Sequence, residues 1–257
     1  MRSISIAFFF VILLAVAWAV HTPLSAGWNV RLFSQNRGDL LDAEESLIRL
    51  GPGALPALRG GLADKNASAR FHCAKVLLVL GENEGETFLL EQLRAHPAPE
   101  DGAGREAEGF LLSAWDRRDG PSEMYWKKLH AVENVTGHAP EALLALNECL
   151  VRFPRWADGY ARRARLYQQA GEVFEAKRDA IYALTLAPNH FEALATLGRI
   201  QLAVEAPTHA YKCFERAVLV NPRMKETLKD ELRDALKAIE IEKEKHREDK
   251  RKNTPLV

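Results

Sequence analysis

Pro154, Pro188 and Pro222 stand 34 residues apart, and then 34 again. That period limits the fold more than any other feature, because a repeat of fixed length is one structural unit used several times. Set in rows of 34, residues 123–156, 157–190 and 191–224 align column by column. A large apolar column holds Trp126, Tyr160 and Leu194, and a column of alanines holds Ala142, Ala176 and Ala210. The next turns give Leu146, Ala180 and Phe214, then Cys149, Ala183 and Ala217. Gly137 and Gly171 share a turn column that Glu205 occupies in the third row.

These columns predict two helices per row. The large apolar residue begins the first helix, and a glycine between the helices accepts a positive φ. The alanines let the second helix approach its neighbours closely. The proline ends the unit because it lacks an N–H and restricts the residue before it. One such pair cannot bury its own apolar face, so the three are expected to stack. Period and columns resemble the tetratricopeptide repeat (TPR) family, most fully in the middle row, ADGYARRARLYQQAGEVFEAKRDAIYALTLAPNH. The rows depart from that family at Arg163, where it usually has leucine, and at Glu133, where it has an aromatic. Pro207 opens the last second helix, a place where proline is tolerated.

Lys plus Arg and Asp plus Glu both number 35, so the net charge is zero. A nucleic-acid partner usually calls for a basic excess, and none is expected here. Alanine and leucine dominate without β-branched alternation, which predicts an all-α protein. The three cysteines, Cys73, Cys149 and Cys213, fall on packing positions of predicted helices. An odd number excludes full internal pairing, and they read as small buried hydrophobes.

The chain opens with Met1 and Arg2, then an uncharged run over residues 4–20, ISIAFFFVILLAVAWAV. Two readings of residues 1–20 compete: a signal peptide with a small-x-small site at Ala17-Trp18-Ala19, or a retained membrane anchor at the lower edge of spanning length. Both make the protein membrane-anchored or secreted, with its repeats expected on the extracytoplasmic (periplasmic) side, while Arg31 and Arg37, close behind the run, leave the opposite orientation of an anchor open. The stretch LAPNHFEALATLGRI resembles the last complete repeat of exported bacterial TPR proteins of unknown activity. Residues 21–38, with Pro23, Gly27, Asn36 and Gly38, are expected to form a tether without helix.

Residues 39–118 resemble HEAT repeats: Pro56 inside a helix, Asp64 at a turn, and Arg70 opening the next helix. The resemblance implies that Asp64 and Arg70 link successive turns. An apolar stripe, Phe71, Ala74, Leu77 and Leu78, follows at helical spacing. Residues 96–104 are the longest expected break, and Asp119-Gly120-Pro121 punctuates the junction of the two arrays. Residues 225–252 predict a charged capping helix with a stripe of Leu228, Leu232, Ala235, Leu236 and Ile239. The expected fold is thus an all-α solenoid: HEAT-like helical pairs over 39–118, three TPR units over 123–224, and a capping helix.

No catalytic, cofactor-binding or metal-ligating set emerges from the sequence. There is no His-Glu-x-x-His, Cys-x-x-Cys, Walker loop or nucleophile elbow. His209 and Cys213 have ligand spacing, but two ligands do not make a zinc site. The chain is expected to be non-enzymatic and to bind a protein or peptide. The TPR resemblance implies a concave groove lined by the first helix of each repeat. Here that gives Lys127, Asn134, Asp158, Arg162, Arg165, Gln168, Gln169, Glu192, Arg199 and Leu202. Arg165 and Arg199 share a column and are expected to point the same way, able to grip carboxylates of an acidic partner segment. The chaperone-tail clamp of some TPR domains is incomplete: Lys127 is kept, but Ala131 and Arg162 stand where the clamp uses asparagines. Two other readings compete, a spacer rod without a ligand and an enzyme with a site in residues 96–104 or the groove.

Overall fold

The turns that join the helices fix how the chain is paired. At Gly81, Gly171 and Glu205 the backbone takes a positive φ, of 89°, 80° and 54°. In each turn that residue's N–H reaches back three residues and the next N–H reaches back five. The bonds run from Gly81 to Leu78 and Glu82 to Leu77, from Gly171 to Gln168 and Glu172 to Tyr167, and from Glu205 to Leu202 and Ala206 to Gln201. They satisfy carbonyls that a helix end leaves open. Gly171 and Glu205 are 34 residues apart, so the third row makes the same turn without the glycine. A Cβ in this conformation is strained, while glycine is freer in the unfolded chain. Glu205→Gly is therefore expected to stabilise the protein by about 0.5–1 kcal/mol, read as a higher urea midpoint. A lower midpoint would mean that the Glu205 side chain contributes more than its backbone strain removes.

The computed structural model describes residues 24–31, 33, 40–98, 100–121, 129 and 139–253. Among them there is no strand, and the fold is all-α. Residues 24–31 form α1. Then come α2 (Leu40–Leu50), a 3₁₀ turn (Gly51–Ala54), α3 (Leu55–Gly61), α4 (Ala67–Val79), α5 (Asn83–Ala95) and α6 (Gly102–Arg117). The remainder is α7 (Ala139–Arg152), α8 (Ala157–Gln169), α9 (Val173–Leu186), α10 (Phe191–Ala203), α11 (Pro207–Val220), α12 (Met224–Thr227) and α13 (Lys229–Asn253). Helices adjacent in the chain pack in pairs, the arrangement of a solenoid-like fold. No described helix is long and apolar enough to cross a membrane; residues 4–20 lie outside the described residues.

The chain divides into two compact units, the first comprising residues 1–92 and 106–114. Its core gathers Phe33, Leu47, Leu58 and Leu77 with Ala26, Cys73 and Val76. The segment expected to be a tether is therefore part of this core. Ala26, Val30 and Phe33 follow one another at helical spacing, and that stripe outweighs the breaking signals of Pro23 and Gly27. Pro56 does not sit inside a long helix. The chain turns at Gly51–Ala54, and Pro56 falls in the first turn of α3, where its missing N–H is not needed. Asn66 caps α4 by accepting from the Ser68 N–H at 2.9 Å. Arg70 donates to the Asp64 and Lys65 carbonyls at 2.8 and 3.1 Å, and the Asp64 carboxylate accepts from the Asn66 N–H. Both residues hold one turn in place. Phe71, Ala74, Leu77 and Leu78 are all buried.

The second unit comprises residues 93–105 and 115–257. The division thus falls within α5 and α6 rather than at Asp119-Gly120-Pro121. Trp115 shows why: its indole stacks on His190 at 4.7 Å and lies against Phe191 at 5.4 Å. The break expected over 96–104 is shorter, because Asp101 starts α6. One of its oxygens accepts from the Ala103 N–H at 3.0 Å, and the other meets His96 at 2.8 Å. The aligned columns form the core of this unit: Ala142, Ala176, Ala210, Leu146, Ala180, Phe214, Cys149, Ala183 and Ala217 are buried. Pro207 lies in the first turn of α11. The capping helix begins after Leu228, which is buried, and α13 packs on α11. Its buried stripe is narrower than expected. Leu236 is 45% exposed, because one residue beyond buried Ala235 the helix has already turned about 100°.

Candidate functional site

In the second unit, two first helices begin beneath a buried ring. Trp156 and His190, 34 residues apart, occupy the N-cap positions of α8 and α10. The Trp156 indole donates to the Asp116 carbonyl at 2.9 Å. His190 Nδ1 accepts from the Ala193 N–H at 3.3 Å, which leaves the proton on Nε2, 3.2 Å from Asp158 Oδ1. The other Asp158 oxygen accepts from Arg162 Nε, and Arg162 also lies 3.6 Å from the Asp116 carboxylate. Burial pushes the Asp158 carboxyl up, but the His190 hydrogen bond and the Arg162 guanidinium outweigh it and hold it well below the usual carboxylate range. Asp158, expected to line a groove, is instead buried and fastens one helical layer to the next. Arg162, half-buried, is held in the same network.

The other expected groove residues separate by environment. Arg165 and Gln169 are exposed; Gln168, Glu192 and Leu202 are half-buried. Arg199 donates twice to Glu231 of α13, at 3.0 and 3.2 Å. It therefore does not match Arg165 in availability, although the two share a column. The column continues a further 34 residues to Arg233, whose guanidinium meets Asp230 at 2.7 Å. Ending the rows at Pro222 hid that third arginine. Lys127 and Asn134 lie outside the described residues.

A different surface of this unit carries an open cleft. A cleft of about 550 Å³ is lined by Tyr160, Arg163, Arg178, Asp179, Ile181, Tyr182 and Thr185. Tyr160 meets Tyr182 edge to face at 4.6 Å. The Arg163 guanidinium lies over the rings of Tyr160 and Tyr167, 5.4 and 5.9 Å from their centres. It donates to buried Asp179, by Nε and by Nη2 at 3.1 Å, and to Asn147 at 2.7 Å. The sequence offered one signal for this cleft, the arginine in a leucine column.

The first unit holds a buried ionic triad. Glu44 receives His72 Nδ1 at 2.6 Å and the Lys75 ammonium at 2.8 Å. Phe33 stacks on His72 at 4.8 Å, Phe110 meets it edge-on, and the Lys75 ammonium lies 5.8 Å from the Phe110 ring centre. Burial pushes the Glu44 carboxyl up, but the His72 hydrogen bond and the Lys75 charge outweigh it and hold it below its ordinary value. Aromatic rings cover both basic partners, so the triad is built into the core rather than open to a substrate. Burial pushes the nearby Cys73 thiol up to about 12, with the Asp64 charge adding to the shift. Such a thiol is unreactive. Among the described residues no group of three or more His, Cys, Asp or Glu is placed to hold a metal ion.

No family model matches the chain, and neither does any curated protein.

Proposed function

We propose that this protein is a non-enzymatic TPR-like scaffold, anchored to a membrane or exported across it through residues 1–20, with its repeats on the extracytoplasmic side. Its partner is a protein or peptide with an acidic segment, held on the face made by the first helices. One observation carries this reading. Gly171 and Glu205 make the same turn 34 residues apart, with the same reach-back bonds, so α8 and α10 begin their neighbouring helices in the same register. Arg165, Gln168 and Gln169 then share a side with Glu192 and Leu202, and Arg165 and Gln169 stand exposed for a ligand. One observation favours the rival spacer reading: Arg199 is engaged by Glu231 and Arg233 by Asp230.

Crosslinking capture from the native membrane fraction separates the two. Wild type is compared with an Arg165→Glu, Gln169→Glu double variant. Arg199 is left in place, because a glutamate there would face Glu231. The scaffold reading expects a defined partner that the variant loses while its thermal melt is unchanged. Equal capture by both proteins would remove the groove from the proposal, and no capture by either would favour the spacer.

A further inference from the structure

We propose that the outer face of α9 is a second docking site. It takes an acidic segment of a partner protein, seating an aromatic or branched apolar side chain over Tyr160 and Tyr182.

The inference begins with Arg163. Its column holds Leu129 in the row before and Leu197 in the row after. Leucine would pack there without help, whereas arginine requires the buried Asp179 carboxylate and the Asn147 side chain. Buried ion pairs are often replaceable by apolar residues without loss of stability, so the fold itself does not demand this one. Departures from a local rule concentrate at functional places. This departure lines the cleft.

The charge of the cleft selects its ligand. Two guanidinium groups, Arg163 and Arg178, face one carboxylate, leaving one positive charge in excess. The Arg178 side chain is 55% exposed and reaches Asp179 only at 3.3 Å, so it can turn outward to an incoming carboxylate. Around it the helix presents apolar surface: Phe174 is 75% exposed, Ile181 47% and Tyr182 42%. Phe174, Arg178, Ile181 and Thr185 follow at helical spacing and lie on one side of α9. From Phe174 to Ile181 the strip runs about 10 Å along the axis, which suits a stretch of chain better than a small molecule. Grouped apolar side chains at a surface mark an interaction site. A second copy of this protein is a poor occupant, because a two-fold contact centred on this strip sets the positive excess of one copy against that of the other. A flat bilayer surface does not fill a cleft.

The test uses the full-length protein in detergent and fluorescence anisotropy. The probes are a dye-labelled nonapeptide that repeats aspartate–phenylalanine–glutamate three times, its lysine–phenylalanine–arginine counterpart, and phosphatidylglycerol vesicles. The acidic peptide is expected to bind and the basic one not. Measured in an Arg165→Glu, Gln169→Glu background that removes the groove, the acidic peptide should still bind, and adding Arg178→Glu or Ile181→Ser should weaken that binding at least tenfold. The altered side chains are exposed, and an unchanged thermal melt checks the fold; should either added change fail that check, Phe174→Ser replaces it. The proposal is overturned if the acidic peptide does not bind, if the basic peptide binds equally, or if the added changes leave binding as it is in that background. It is also overturned if the Arg165→Glu, Gln169→Glu background alone abolishes binding, which would place the ligand in the groove and leave the scaffold reading standing. Vesicle binding that depends on Arg178, with no peptide binding, would make the face a membrane contact instead.

Discussion

Glu44→Ala is expected to destabilise the first unit by about 3–5 kcal/mol, the usual loss when one partner of a buried ion pair is removed. Lys75 and His72 converge on this carboxylate from α4, and aromatic rings cover both of them. Without it, the Lys75 ammonium stays beneath the Phe110 ring with its carboxylate gone. Replacing the pair together is a different matter. Glu44→Met with Lys75→Met removes both charges and fills similar volume, so its loss should shrink to about 1–3 kcal/mol, that of the His72 nitrogen left without its acceptor. Urea unfolding followed by circular dichroism reads both variants. Hydrogen exchange over residues 24–31 adds a local readout, because Phe33 is held on the His72 ring. If the double variant is as unstable as Glu44→Ala, the triad contributes net stability beyond its own desolvation.

Asp158→Ala is the second large effect, about 3 kcal/mol or more in the repeat unit. It leaves the His190 Nε2–H buried beneath Trp115 without this acceptor, and takes from Arg162 its closest carboxylate. The same residue sets a pH dependence. The folded Asp158 carboxyl is held well below its unfolded value, so its contribution is complete above about pH 5. That contribution is lost progressively as the pH falls further, because the unfolded chain then binds the proton first. Glu44 acts in the same direction in the first unit. Thermal melts from pH 6 to pH 2 should fall steeply in wild type and less steeply in Asp158→Asn. Parallel slopes would remove Asp158 from the acid response.

The columns of the 34-residue period were legible because they are the packing contacts themselves. Ala176, Ala180 and Ala183 are buried where the alignment put them. The third turn was less legible, since Glu205 adopts a conformation that its residue type disfavours. Asp158 is not legible as a buried residue because its partner, His190, lies 32 residues on, at the far end of the same row, and that pairing leaves no mark within a single helix. The helix over 24–31 is less legible, because Pro23 and Gly27 obscure the helical spacing of Ala26, Val30 and Phe33. Of the cleft, only Arg163 gave a signal. The exposed faces of Ile181 and Tyr182 depend on how α8 and α9 meet, which no periodicity encodes.

The burial of Ala26 and Phe33 has a mechanical consequence. A chain spans at most about 3.6 Å per residue, so the stretch from Val20 to Leu24 reaches roughly 14 Å. If residues 4–20 are embedded in a bilayer, the first unit hangs on a leash shorter than its 13-residue helix α4. Force or torque on it would pass to the lipid almost without slack. A fragment begun at residue 39 would release that leash and also take two side chains out of the core, so it is not a neutral trimming of the protein.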